Sequence, residues 1–357
     1  MKLVSRPATA AAAAGLMLLG AASRAPGAAG CAAQLAIAAP PLPAAAAAQL
    51  PPLDAQTSLL VVSPHPDDET LCCAGVIERV AHAGGRVRVV WITSGDASEL
   101  SLLLVEKSLF TTAAAARELA ERRMREARAA TALLGVPASD KLFLGYPDRG
   151  IETLLGAHRR VPYRSRFTAA SAVPYADAVF PGHPYTGQSL EADFAAILAR
   201  VRPTLVLAPS PRDRHPDHSA AGLLTLRVLG RLGELSAVRL WIVHGGEGWP
   251  SPRGLYPGLP LTPAPRAAGE PAAAFVLAPA EEDTQLAALR AYETQMQSLA
   301  PFLLAFVRTT ELFSAVPAGV SLTAVRGAAS PRASDPVRPR SARAADRATP
   351  AAASSGG

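Results

Sequence analysis

An α/β protein with a single, mostly parallel sheet is the fold this chain predicts, and three observations carry that prediction. From about Thr57 onward, short apolar runs alternate with amphipathic stretches of helical length. The runs Leu59-Leu60-Val61-Val62, Val87 to Thr93 and Thr204 to Ala208 are nearly continuous, as strands buried on both faces are. Two of them run into short turns rich in His and Asp, each followed by a helix. In open α/β sheets that is where ligands bind, beyond the carboxyl ends of the strands.

Taken in order, the chain opens with Lys2 and Arg6, then an apolar stretch from Ala8 to Ala22, then small residues and Arg24. That is the pattern of a secretory signal, too short for a stable membrane span. A merely Ala-rich leader is the plainer alternative. Residues 1–30 are read as this segment, which predicts an exported, periplasmic or extracellular protein. Ala28-Ala29-Gly30-Cys31 is weakly similar to a lipoprotein acylation site, with Ala standing three before the cysteine where Leu is usual, so Cys31 is a weak candidate for a lipid anchor. Residues 31–56 are an Ala/Pro-rich linker. Residues 57–326 are expected to form one catalytic domain, and 327–357, rich in Pro, Ala, Ser and Arg, a disordered tail.

Within the domain, the first strand covers about Ser58 to Ser63 and a helix about Glu69 to Ala83. Gly84-Gly85 turns the chain into the strand Val87 to Thr93, which ends at Ser94-Gly95-Asp96. Ala113 to Leu134 is a long helix closed by Gly135, with Pro137 beyond it. A short strand, Lys141 to Leu144, leads to Gly145-Tyr146-Pro147-Asp148-Arg149-Gly150. Residues 151–188 lack periodicity and read as a long functional loop. A helix from Ser189, its expected cap, runs to Val201, and the strand Thr204 to Ala208 follows. Ser219 to Leu232 is helical, Val238 to Val243 a strand, Ala273 to Leu277 an edge strand, and Glu281 to Leu299 a single helix with acids in its first turn. Residues 247–272 form a Pro/Gly-rich excursion.

The net charge of +6 arises at the ends. Lys2, Arg6 and Arg24 carry half of it; five arginines against Asp335 and Asp346 in 327–357 carry the other half. The domain is therefore balanced, which argues against nucleic acid as a partner. Cys31, Cys72 and Cys73 form neither a disulfide framework nor a CxxC knuckle. Adjacent Cys72 and Cys73 are expected to be small core residues.

The chemistry lies in Pro64-His65-Pro66-Asp67-Asp68-Glu69 and Asp213-Arg214-His215-Pro216-Asp217-His218. One imidazole and three carboxylates packed into five residues are costly to hold together unless a cation joins them. Either motif alone would read as helix capping. Two of them at strand ends in one sheet can converge on one crevice. Imidazoles and carboxylates without thiolates suit Zn²⁺ in a catalytic site, with three protein ligands leaving one position open.

With these two motifs the chain resembles the PIG-L/LmbE-like family of zinc-dependent N-acetylglucosamine deacetylases, over about residues 57–315. The (P/A)HPDDE and HPDH-like motifs are both intact. Arg123-Met124-Arg125-Glu126, Leu144-Gly145-Tyr146-Pro147-Asp148 and Tyr292-Glu293-Thr294-Gln295 support the resemblance. It implies a Rossmann-like fold with helices on both faces and hydrolysis of the acetamide of an N-acetylated amino-sugar conjugate. It also implies His65, Asp68 and His218 as ligands of one zinc per chain. Asp67 matches the family's general base, and His215 matches the histidine that steadies the oxyanion or protonates the leaving amine.

Other residues keep two readings each. Asp213 or Asp217 orients His215 or His218, and spacing does not choose between them. Glu69 serves the helix dipole or supports the site. Arg123 holds a substrate anion, or is solvated or paired with Glu126. Asp148 contacts a sugar hydroxyl or caps its turn, and His244, at a strand end, lines the pocket. Two rival functions stand beside deacetylation: hydrolysis of another amide or an ester on a glycan or small metabolite, and zinc-stabilised carbohydrate binding without turnover. Residues 151–188 and 247–272 would set the leaving group.

Overall fold

A computed structural model describes residues 48–97 and 112–317. The leader, Cys31, most of the linker and the C-terminal tail lie outside the described residues. Among the described residues no helix is long and apolar enough to cross a membrane.

The sheet begins with β1 (Ser58–Ser63), whose Leu59, Leu60, Val61 and Val62 are wholly buried. Each such side chain contributes about 1.5–3 kcal/mol relative to remaining exposed. Helix α1 (Asp68–His82) returns the chain to β2 (Arg86–Thr93), which pairs parallel to β1. Helix α2 (Ala113–Leu133), capped by Thr112, leads to β3 (Lys141–Tyr146), parallel to β2. The irregular stretch after it holds one short helix, α3 (Ile151–Leu155). Then come α4 (Gly187–Val201), β4 (Leu205–Pro209), α5 (Pro216–Leu232) and β5 (Val238–Trp241). The last elements are β6 (Ala272–Val276), α6 (Pro279–Arg290), α7 (Glu293–Leu303) and β7 (Thr310–Ala315).

Seven strands form one sheet in the order β3-β2-β1-β4-β5-β7-β6. The first five are parallel; β7 is antiparallel to both β5 and β6. The chain winds outward from β1 to β3, returns to β4 beside β1, and winds the other way. Right-handed crossovers in opposite directions place helices on opposite faces. Consistent with this, α1 and α2 pack against α6, while α3 packs against α4 and α5. The expected Rossmann-like, mostly parallel sheet is therefore what forms. Its switch point lies between β1 and β4, the two strands that end in the His/Asp motifs.

Several boundaries differ from the sequence reading, each for a local reason. Helix α4 is capped by Thr186, whose Oγ1 accepts from Ser189 N at 3.0 Å, so Ser189 lies inside the first turn. Helix α5 starts at Pro216, a residue suited to a first turn, with His215 as its cap. Asp217 and His218 are thus helical. The single helix expected over Glu281–Leu299 is broken at Ala291-Tyr292, and Tyr292 turns inward. Strand β7 was not expected; its inward-facing Glu311 interrupts the apolar pattern, and β7 makes β6 the sheet edge. Cys72 and Cys73 are buried as expected, with their sulfurs bonded to each other.

Helix α5 lies close against the end of β4 because Gly222 has no side chain. A Cβ there would meet Pro209 O at 2.3 Å and Pro211 N at 3.0 Å. Gly222→Ala is expected to push α5 off the sheet and cost about 1–3 kcal/mol. His218, one turn earlier, would shift with it. Urea unfolding checks this; an unchanged midpoint would mean the helix has room to spare.

Candidate metal centre

The turn leaving β1 is folded so that its polar groups point back at the sheet end. Asp67 caps α1 at φ 132°, a positive value that only glycine adopts freely. Such backbone costs about 1–3 kcal/mol and persists only where surrounding bonds hold it. Here they are supplied by Glu69 and Arg123. Glu69 is wholly buried, and its carboxylate accepts from Trp91 Nε1 at 2.8 Å, Thr70 Oγ1 at 2.7 Å, Asp67 N at 3.3 Å and the Tyr292 hydroxyl. Ser63 Oγ joins it, 3.2 Å from Glu69 Oε2 and 2.6 Å from His65 O. Burial raises the Glu69 pKa against these bonds. Glu69 therefore supports the turn from beneath, while also standing in the first turn of α1, where its charge suits the helix dipole.

Arg123 reaches the turn from α2. It donates to Pro66 O at 2.8 Å and Gly95 O at 3.1 Å, and its Nη2 lies 3.4 Å from Asp67 Oδ2. It is buried, so the solvated or Glu126-paired reading is corrected. Glu126 instead meets Arg122 at 3.3 Å and accepts from Thr294. Gly95, at φ +70°, makes the approach possible, since a Cβ there would lie 2.1 Å from Arg123 Nη1.

Three donor atoms face one another at the switch point. His65 Nδ1 is 3.2 Å from Asp68 Oδ2 and 3.2 Å from His218 Nε2, and the last two atoms are 3.1 Å apart. Ligands about 2.0–2.1 Å from a tetrahedral zinc would be separated by about 3.3 Å. Both the donor set and its spacing therefore fit such an ion. Imidazole and carboxylate clusters close enough to hold a metal recur around it, drawing in His215, His244, Asp148 and Asp217.

The electrostatics point the same way. Burial opposes charge on His218, yet Asp68 and Asp213 outweigh it and push its pKa up to about 9. His65 is likewise raised despite burial, by Asp148 first, then Asp217 and Asp68. Asp68, Asp148 and Asp213 are held below the usual carboxylate range against their burial, chiefly by these imidazoles. The centre thus draws positive charge to itself.

The second motif divides its labour. Asp213 Oδ2 lies 3.3 Å from His218 Nδ1 and accepts from Val243 N and His244 N, so Asp213 orients His218. Asp217 faces the other way. It accepts from Arg149 N at 2.6 Å and Ile151 N at 3.0 Å, and lies 3.4 Å from His65 Nε2. Its expected pairing with His215 or His218 is corrected to His65, except that its backbone N donates to His215 Nδ1 at 3.2 Å. A ring keeping that bond is neutral, with its proton on Nε2. Burial, first, and the neighbouring imidazoles lower the His215 pKa to about 2, which agrees with a neutral ring.

Asp148 leaves the turn-cap reading behind: its Oδ1 is 3.3 Å from His65 Nε2, and its Oδ2 accepts from Ala97 N at 3.2 Å. His244 stacks on Phe302 and lies 4.7 Å from the His218 ring. A cavity of about 180 Å³ brings together His65, Asp67, Asp68, Asp148, His215 and His244, with Arg123 and Phe302 in its wall. Of the residues singled out from sequence, only Glu69, Asp213, Asp217 and His218 stand behind this lining.

Sequence reasoning missed a second rank of supports. Asp96, wholly buried, accepts from Asp148 N at 2.9 Å and from the Tyr175 hydroxyl at 3.1 Å. Burial, first, and the nearby Asp148 raise its pKa to about 7. An aspartate at a strand end was the available signal. Trp91 and Phe302 gave none, because aromatic residues in apolar runs read as core.

Fold and centre together define a doubly wound α/β domain with a His/Asp site suited to a divalent cation at its switch point. Residues 60–229 match the family described as PIG-L: GlcNAc-PI de-N-acetylase. A 1D-myo-inositol 2-acetamido-2-deoxy-alpha-D-glucopyranoside deacetylase of Actinosynnema mirum is 35% identical over 181 residues, 48% of this chain and 55% of that protein. The like-named protein of Rhodococcus erythropolis is 30% identical over 202 residues, 55% of this chain and 58% of its own. The chain thus spans about half the length of the curated relatives it matches. Among solved structures, the N,N'-diacetylchitobiose deacetylase from Pyrococcus horikoshii is similar with a TM-score of 0.44 and 19% identity, covering 72% of this chain and 83% of that one.

Proposed function

We propose that this chain is a zinc-dependent hydrolase that removes the N-acetyl group from an N-acetylglucosamine-type conjugate. What supports this most is a single convergence: the His65, Asp68 and His218 donors meet beside one cavity, which His65, Asp68, Asp67 and His215 line and His218 backs. His65, Asp68 and His218 would hold the ion, which when bound supplies a charge that polarises the acetyl carbonyl and acidifies a water. Asp67 takes the proton from the attacking water at a carboxylate oxygen. Burial, first, with Asp68 and Glu69 beside it, raises the Asp67 pKa to about 8 even against Arg123 and His65. The Arg123 guanidinium and a bound cation both favour its ionised form. His215, its Nδ1 occupied by a backbone N–H, presents Nε2–H as a hydrogen-bond donor to the oxyanion, and the proton that Asp67 takes from the water passes to the departing nitrogen. Asp213 lies 3.3 Å from His218 Nδ1 on the side away from the donors, and Asp148 with Asp217 flanks the far side of the His65 ring.

Incubation with N-acetylglucosaminyl conjugates should release free amine and acetate, stop on chelation and resume on adding zinc. Cleavage of an acetyl ester with no action on any acetamide would favour the esterase alternative. Saturable sugar binding without either product would favour the non-catalytic one.

A further inference from the structure

We infer that a second cavity beside the metal centre is the subsite for the rest of the conjugate, and that it takes an anionic group, a carboxylate or phosphate. The inference rests on the deacetylase reading above. This cavity, of about 350 Å³, shares His215, His244 and Phe302 with the metal cavity and adds Arg214, Trp249 and Arg253. A conjugate with its acetamide at the metal donors would extend across the shared wall into it.

The two cavities differ in the sign of their lining. The metal cavity carries Asp67, Asp68 and Asp148. The second has no carboxylate among its described lining residues: its ionisable groups are two guanidiniums and two imidazoles. Glu247, the acidic residue of the adjoining loop, is exposed and does not line it. Arg253 is held in place, its guanidinium 4.6 Å over the Phe302 ring and its Nη2 donating to Trp249 O at 2.8 Å. A guanidinium has five donors, so several remain for a ligand. Arg214 is anchored through its backbone N, 3.0 Å from His244 O, while its exposed side chain has no ion pair among the described residues. The start of α5 at Pro216 adds the positive end of a helix to the same rim. Trp249 and Phe302 supply flat apolar walls, so an anion borne on a ring or a short chain suits the space better than a bare ion.

The test uses the full-length zinc-loaded protein and matched glycosides of N-acetylglucosamine with phenyl, carboxyphenyl and phosphate aglycones. The charged glycosides should exceed the phenyl one in kcat/KM by about tenfold, mostly through KM. In Arg214→Gln and Arg253→Gln that preference should fall toward one. Arg214 is exposed, so its variant reports on charge even if Arg253→Gln disturbs Phe302. Inorganic phosphate serves as a separate arm. If it inhibits as tightly as the charged glycosides bind, the cavity takes a free ion and the subsite assignment is overturned. Equal kcat/KM for charged and neutral glycosides also overturns it. If no glycoside is hydrolysed, the deacetylase reading falls. Calorimetric titration with the same glycosides then decides the subsite alone: an Arg-dependent preference for the charged ones supports it, and equal binding sinks it.

Discussion

Asp67→Asn is expected to leave zinc content and thermal stability near those of the unaltered protein while lowering kcat by about 10²–10⁴-fold. The substitution keeps size and shape, and an amide at this position still meets Arg123 only weakly. What it removes is the proton acceptor lining the cavity beside the metal donors. The positive φ at Asp67 is a property of the backbone held by Glu69, so the turn should survive. Elemental analysis and steady-state kinetics on one preparation decide the matter. Loss of zinc together with activity would make Asp67 a ligand and move the search for a base to Asp148 or Asp217. Wild-type turnover with zinc retained would sink the proton-transfer role outright.

His218→Ala should remove metal and activity together, with turnover falling to background. His218 is wholly buried between Asp68 Oδ2 at 3.1 Å and Asp213 Oδ2 at 3.3 Å. Deleting the ring takes one corner from the donor triangle and leaves two carboxylates facing a void. Loss of a partner from a buried charged group costs about 3–5 kcal/mol, so the variant should also unfold more easily. His218→Gln retains some bulk and separates loss of metal from loss of packing. If either variant bound zinc in full and turned over normally, the triangle would not be the metal site.

How much of this was legible in the sequence differs between elements and partners. Strand β1 was read at its observed limits, because four consecutive aliphatics between polar ends leave little choice of structure or depth. The two motifs were read as convergent because each follows a buried strand, and β1 and β4 do lie side by side. Strand β7 was not legible: its alternation carries a buried Glu311, whose carboxylate accepts from Gly75 N and Val76 N of α1, more than two hundred positions away. Arg123 was placed on a long helix but given the wrong company. Its charge made Glu126 the natural partner at helical spacing, whereas the fold turns it inward to Asp67.

By itself the sequence determined where most strands and helices run, β7 and the break at Ala291-Tyr292 excepted, that the sheet is mostly parallel, and which His and Asp side chains gather at its switch point. Those follow from local periodicity and from the short reach of a turn between strand and helix. Only the tertiary structure decided who supports whom: Glu69 with Tyr292, His65 with Asp148 and Asp217, Asp148 with Asp96. The physical reason is desolvation. Once buried, each of these polar groups must find whichever partner packing brings within about 3 Å, and packing joins segments that have no periodic relation along the chain.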